Sequence, residues 1–147
     1  MGLGIVNSVQ GASNVFVNYN KSHDLIQNTV TDIVEDHDGF IWFSTFEGLS
    51  RFDGYEFKNY PPTSQSANSL PAGFIKKLQI DNLGNLWVAT VNGLAKYNSK
   101  LDNFTVFDKN NSKLNSNEIY TLALNKDGKL LVATEENLYL LDEKSNV

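Results

Sequence analysis

Apolar residues in this chain come as short runs between polar turns, and the runs recur in sets of four. The densest run, Gly39-Phe40-Ile41-Trp42-Phe43-Ser44-Thr45, returns at Gly84 to Thr90 and again, with Leu131 in place of tryptophan, at Gly128 to Thr134. The matched positions 42, 87 and 131 give a period of 45 and then 44 residues. A five-residue apolar run without alternation predicts a strand buried on both faces. Ahead of it stands Val30 to Glu35, matched by Ile75 to Ile80 and by Ile119 to Leu124. Its shared apolar positions lie three apart (Val30 and Ile33, Ile75 and Leu78, Ile119 and Leu122), which suits a helix as well as a strand. The segment is short and a turn follows it closely, so we expect a strand carrying an irregular or bulged residue.

Turn residues punctuate each set. Asp36, Asp81 and Asn125 open the first turn and Gly39, Gly84 and Gly128 close it. A short acceptor side chain caps backbone N–H groups there, and glycine tolerates positive φ. Glu47-Gly48, Asn92-Gly93 and Glu136-Asn137 mark a second turn, before third strands that begin at Leu49, Leu94 and Leu138. A fourth strand carries Phe57-x-x-Tyr60 and Phe104-x-x-Phe107, and long polar loops, Pro61 to Leu70 and Asp108 to Leu114, lead onward. The fold class expected is therefore all-β, with three four-stranded antiparallel repeats of about 45 residues forming β-propeller blades. Blade cores are expected at about 29–60, 74–107 and 118–142 within a segment 15–147. Residues 15–19 read as an outer strand that completes a blade, because the third repeat reaches Asp142 without one of its own. Three blades make a partial propeller or one completed by oligomerisation, with a homodimer sharing that strand as the concrete form.

The chain has 147 residues, 41% hydrophobic and 20% charged, a soluble globular composition. Its net charge of −5, with Lys76-Lys77 as the one adjacent basic pair, argues against a nucleic-acid partner. There is no cysteine, which excludes disulfides and thiolate sites. No apolar stretch approaches membrane-spanning length, so no direct membrane insertion is expected in this segment. Residues 1–14, rich in Gly and Ser and free of Lys and Arg, read as a disordered leader, the remnant of an export signal or of cloning.

Candidate chemistry is sparse. Asp36, Asp38 and, at the twelfth position, Glu47 suggest part of a calcium loop, but an apolar strand intervenes and Leu83 replaces the second Asp in the next repeat. A capped turn is the better reading, and no metal site is expected. His23 and His37 are the two histidines, and neither belongs to a nucleophile, zinc or phosphate-loop pattern. No catalytic residues and no cofactor are assigned, and the chain is read as not an enzyme. Trp42 and Trp87, recurring inside apolar strands, read as packing between blades rather than sugar-stacking groups. Arg51-Phe52-Asp53-Gly54-Tyr55 reads as a structural turn.

These residues resemble the two-component regulator propeller repeat. The first repeat carries Asp36-x-x-Gly39-Phe40-Ile41-Trp42, Thr45 and Gly48-Leu49-Ser50-Arg51-Phe52-Asp53-Gly54-Tyr55-x-Phe57. The second carries Asn68-Ser69-Leu70-Pro71, Asp81, Gly84-Asn85-Leu86-Trp87, Thr90 and Gly93-Leu94. The third departs at Leu131 and Asn137, and the match spans roughly Leu25 to Asp142. The resemblance implies a non-enzymatic, ligand-sensing module of a bacterial membrane signalling receptor, placed in the periplasm or otherwise outside the cytoplasm. It implies an oligosaccharide ligand. Its implied partners are the remaining propeller blades and downstream signalling domains, or a second copy of the chain. The alternative is a structural or protein–protein interaction propeller with no small-molecule ligand.

Propellers bind on the face holding the loops into each first strand and the turns between second and third strands. On that face the candidate ligand-binding residues are Phe46, Glu47, Val91, Asn92, Glu135 and Glu136 from the turns, with Phe74 and Asn117 from the loops. They differ between repeats while their surroundings recur, which is where loops carry function.

Overall fold

A computed structural model describes residues 16–141. The N-terminal leader and the segment from Asp142 onward lie outside the described residues. Eleven strands form three antiparallel sheets. The first contains β1 (Val30–Glu35), β2 (Ile41–Thr45), β3 (Leu49–Phe52) and β4 (Phe57–Tyr60). The second contains β5 (Ile75–Ile80), β6 (Leu86–Thr90), β7 (Gly93–Asn98) and β8 (Asn103–Phe107). The third contains β9 (Thr121–Leu124), β10 (Leu130–Ala133) and β11 (Leu138–Leu141). Each sheet runs in chain order from inner to outer strand, a meander that forms one propeller blade.

The odd spacing in the first strands is a bulge. The β1–β2 register shifts between Val30 and Asp32, and the β5–β6 register shifts between Ile75 and Lys77. One extra residue resets the alternation, so side chains three positions apart share a face. The extra residue is put to use: Thr31 Oγ1 donates to the Ile75 carbonyl of the next blade at 2.9 Å. In the third blade the regular strand starts only at Thr121. Ile119 N–H bonds Thr90 O of blade 2 instead, and Tyr120 N–H bonds Ala133 O.

Blades stack face to face around two apolar clusters. Trp42, Leu49 and Tyr60 of blade 1 pack with Leu70, Ile75, Leu78, Leu86 and Val88 leading into and within blade 2. Trp87, Ala89 and Leu94 of blade 2 pack in the same way with Ile119, Leu122, Leu130 and Val132. The tryptophans are therefore packing residues between blades, and Trp42 and Trp87 are fully buried.

What holds each indole is the turn aspartate. Asp36 Oδ1 accepts the N–H groups of Asp38 and Phe40, each at 3.0 Å, while Oδ2 accepts Trp42 Nε1–H at 2.7 Å. Asp81 does the same with Leu83 (2.9 Å), Asn85 (2.8 Å) and Trp87 Nε1–H (2.8 Å). In blade 3 Asn125 Oδ1 accepts from Asp127 and Lys129, each at 2.9 Å, and Leu131 offers no indole. One acceptor oxygen suffices for the turn; the second is needed only where a tryptophan donates. Asp36 is thus occupied as a capped turn by N–H donors.

Residues 16–19 belong to no strand of this chain. Tyr19 lies on blade 1 itself, its ring 5.1 Å from Phe52 and 5.8 Å from Phe57. Of the segment expected as an outer strand, residue 15 lies outside the described residues, and a strand shared with another blade is not tested within a single chain.

The Asp81–Trp87 bond predicts strong coupling in a double-mutant cycle read by urea unfolding. Asp81→Asn and Trp87→Leu each destabilise, and together they cost about 1–2 kcal/mol less than their sum. The third repeat carries the double replacement naturally, and additive losses would contradict the clamp.

Candidate functional site

Threonine shapes the turns that present the candidate residues. Thr45 Oγ1 donates to Gly48 O at 2.8 Å and accepts Glu47 N–H at 3.1 Å; Thr90 repeats this with Gly93 O (2.8 Å) and Asn92 N–H (3.1 Å). Thr134 does so with Asn137 O at 3.2 Å. The hydroxyl adds to the backbone bond that Thr45 N–H gives Gly48 O at 3.0 Å, so the turn residues project from a fixed base.

The structure brings the candidates together across blade boundaries. Phe46 on the blade 1 turn meets Phe74 on the loop into blade 2 edge to face, ring centroids 4.8 Å apart, with both rings exposed. Beside them a Cβ on Gly73 would lie 3.0–3.2 Å from the Glu47 backbone, so the loop approaches the turn as closely as glycine allows. Asn92 on the blade 2 turn accepts from Asn117 Nδ2 on the loop into blade 3 at 3.3 Å and donates to Pro71 O at 3.2 Å. Val91 N–H bonds Phe74 O at 3.4 Å within blade 2. Glu47 faces Lys21 at 4.0 Å, an exposed and weak pair. Glu136 accepts from Asn115 at 3.4 Å, and Glu135 is exposed beside it. The turns of blades 1 and 2 each touch the loop into the next blade, while the blade 3 turn, with Glu135 and Glu136, meets only the loop into its own blade at Asn115.

Three features of this face and its flank escaped the sequence pattern. An open groove of about 730 Å³ runs beside Asn92, walled by Thr63, Asn68, Pro71, Asp108 and Asn111. On the inner strands, Lys76 pairs with Glu118 at 2.6 Å and stands 3.8 Å over the Tyr120 ring, while Lys77 pairs with Asp32 at 3.0 Å. Asp32 also accepts Leu78 N–H at 2.8 Å, tying blade 1 to blade 2. Lys76, Glu118 and Tyr120 come from matched or neighbouring repeat positions of different blades, a signal available only once the repeats are stacked in space.

The third feature locks the outer strands. Asp102 accepts hydrogen bonds from Tyr97 (2.7 Å) and Tyr60 (2.8 Å) and from the Lys58 ammonium. Arg51 reaches Tyr97 at 3.3 Å and lies 4.3 Å over the Phe40 ring. Burial pushes the Tyr60 hydroxyl pKa up, and its bonds with Tyr97 and Asp102 add to that. Burial alone would raise the Asp102 carboxyl; the Lys58, Tyr97 and Tyr60 hydrogen bonds outweigh it and hold the pKa at about 2. The Arg51–Tyr55 string ends in the expected turn, with Asp53 Oδ1 capping Tyr55 (2.8 Å) and Glu56 (2.9 Å). His37 is exposed, yet it packs on the next blade's turn: a Cβ on Gly84 would meet its Nδ1 at 2.9 Å.

Among the described residues, no helix is long and apolar enough to cross a membrane, and no group of three or more His, Cys, Asp or Glu side chains is placed to hold a metal ion. The family model described as two component regulator propeller matches residues 24–47. Histidine kinase P4 of Formosa agariphila is 34% identical over 68 residues, covering 46% of this chain and 5% of that protein. Among solved structures, one described as the extracellular domain of the hybrid two component system BT3049 from B. thetaiotaomicron aligns with 86% of this chain and 19% of its own. Its TM-score is 0.78 and its identity 28%. PorZ, a surface component of the type-IX secretion system of Porphyromonas gingivalis, aligns with 77% of this chain and 17% of its own at TM-score 0.60. At 23% identity it speaks for the fold alone. The chain thus carries a two-component regulator propeller repeat within a stack of propeller blades, and it spans less than a fifth of the length of each of these relatives.

The depressed Asp102 pKa stabilises the fold above the carboxylate's ordinary value near 3.8, and that contribution is lost as pH falls through about 2. Melting temperature measured from pH 5 to pH 2 should therefore drop less steeply in Asp102→Asn than in the native chain. Parallel curves would contradict the assignment.

Proposed function

We propose that this chain is a non-enzymatic, ligand-sensing propeller segment of the extracytoplasmic region of a bacterial two-component signalling receptor, with an oligosaccharide as its ligand class. The structural agreement with the BT3049 extracellular domain and the matched repeat support the receptor reading and the location outside the cytoplasm. The kinase named in the F. agariphila relative belongs, on this proposal, to parts of such receptors beyond the small share this chain spans. Further blades and signalling domains are its proposed partners there.

The observation that carries ligand binding is the Phe46–Phe74 ring pair, exposed on the rim where blade 1 meets blade 2. Aromatic faces bordered by amide groups such as Asn92 and Asn117 provide apolar contact for sugar C–H faces and hydrogen bonds for hydroxyls. Because each pair joins two blades, a ligand seated there touches both and biases how they pack. Binding must change that packing to be a signal. The second reading, an interaction propeller without a small ligand, draws support from the same exposed Phe46 and Phe74 rings, which also suit a protein contact.

Thermal shift against an oligosaccharide panel separates the two readings. A ligand that binds only the folded chain raises the melting temperature, by the equivalent of about 2.7 kcal/mol at a hundred times its Kd. Phe74→Ala should abolish that shift while leaving the unliganded melting temperature nearly unchanged. A panel without any shift, or a shift indifferent to Phe74→Ala, would defeat the proposed site.

A further inference from the structure

We infer that the seam between blades 1 and 2 holds a second binding site, at the end of the blades opposite the candidate rim. Its ligand is a small zwitterion with the head group of an α-amino acid. The β1–β2 turn of blade 1 faces the β5–β6 turn of blade 2 there, around a pocket of about 100 Å³. Arg51 and Asp38 line it from blade 1, Asn85 and Ser99 from blade 2. Both walls belong to blades with all four strands in place, so the pocket is complete within this chain.

The pocket carries one unpaired charge of each sign. Arg51 is half-buried; its guanidinium lies 4.3 Å over the Phe40 ring, and Nη1 donates to the Tyr97 hydroxyl at 3.3 Å. Tyr97 donates its own proton to Asp102 at 2.7 Å, which leaves its oxygen open to Arg51. Stacking covers one face of the guanidinium and leaves the other N–H groups at its edge, in the fork that fits a carboxylate. Asp38 gives its backbone N–H to Asp36, while its exposed carboxylate takes no hydrogen bond among the described residues. The described ion pairs join Lys21, Lys58, Lys76 and Lys77 to acids, and none includes Arg51 or Asp38. The neighbouring acids are committed: Asp36 accepts from Asp38, Phe40 and Trp42, and Asp53 caps Tyr55 and Glu56. Across the seam, Asn85 directs its Nδ2–H to Asp81 at 2.8 Å and keeps Oδ1 as an acceptor.

Those charges select the ligand. A simple carboxylate would pair with Arg51 and be repelled by Asp38, and a simple amine would meet the reverse. A dianion such as phosphate would face Asp36 and Asp38 together. A molecule with a carboxylate and an ammonium on one carbon satisfies both charges, and Asn85 Oδ1 is a further acceptor for the ammonium. The volume, equal to about three water molecules, suits such a head group and leaves a side chain to project from the mouth. Repetition separates this pair from the framework. Leu83 and Asp127 stand at the position of Asp38, and Lys96 and Leu140 at that of Arg51, so blade 1 alone carries both charges. Blade 2 closes the same turn with Leu83, so the Asp38 carboxylate is not needed for the fold.

A nuclear magnetic resonance titration of the full chain with glycine, at neutral pH and fixed ionic strength, tests the site. Acetate and methylammonium serve as the two half-ligands. Glycine should shift the backbone amides of Phe40, Gly84 and Asn85 saturably and bind about tenfold more tightly than either half-ligand. Asp38→Asn and Arg51→Gln should each weaken glycine binding about tenfold, the loss expected for one charge-assisted hydrogen bond. Arg51 also packs on Phe40, so Asp38→Asn, at an exposed side chain, decides alone if Arg51→Gln fails to fold. Acetate binding as tightly as glycine would reduce the pocket to an adventitious anion site and overturn the inference. Glycine shifts that never saturate, or binding indifferent to Asp38→Asn, would overturn it as well. The titration uses no oligosaccharide, so this inference and the sensing proposal fail independently.

Discussion

A carboxylate with both oxygens engaged is the constraint on which the stack depends. Asp36 and Asp81 each spend one oxygen closing the turn after the inner strand and the other fixing an indole N–H. A buried indole without a partner would cost free energy that its packing must offset. With the bond made, the ring is held against the next blade, and the turn and the interblade core become one unit. Burial opposes the charge on Asp81, yet the hydrogen bonds from Trp87 and Asn85 and the backbone N–H groups leave its pKa lowered. Blade 3 removes indole and charge together, with Leu131 and Asn125, and keeps the turn geometry. Within one chain, that is the outcome expected if the carboxylate is there for the tryptophan.

The same repetition places the candidate site. Once each blade is set on the next, the turn of one lies beside the loop into its neighbour, so side chains that vary freely between repeats meet in pairs. Phe46 with Phe74 and Asn92 with Asn117 are two such pairs, chemically different and one repeat position apart. A rim built this way can change its chemistry without disturbing the clamp beneath, because none of the eight rim side chains bonds the turn aspartates. It also places binding at seams rather than within blades, where a small change in packing angle would be felt by both neighbours.

Much of the architecture was legible in the chain. The period, the turn residues and the apolar runs specify three meanders, and the three-residue apolar spacing of the inner strands resolves into bulges at Thr31 and Lys76. Period-based reasoning could not reach contacts whose partners sit one repeat away. Asp102 gathers Tyr60, Tyr97 and Lys58 only because β4 of one blade lies against the β7–β8 turn of the next. The role of Asp36 and Asp81 was partly visible, since Asp gives way to Asn where Trp gives way to Leu, but a turn cap explained the aspartate well enough alone. Within the single chain, residues 16–19 join no strand, and Tyr19 lies against Phe52 and Phe57. An aromatic-x-x-aromatic pattern suits an outer strand, and equally suits a peptide lying across the rings of Phe52 and Phe57.

Hydrogen exchange of the two indole N–H protons, followed by nuclear magnetic resonance at neutral pH, reaches the clamp most directly. Both protons are donated to buried or half-buried carboxylate oxygens, so both should exchange orders of magnitude more slowly than a free indole, opening only with the blades. Rapid exchange of either proton in the folded chain would contradict the clamp.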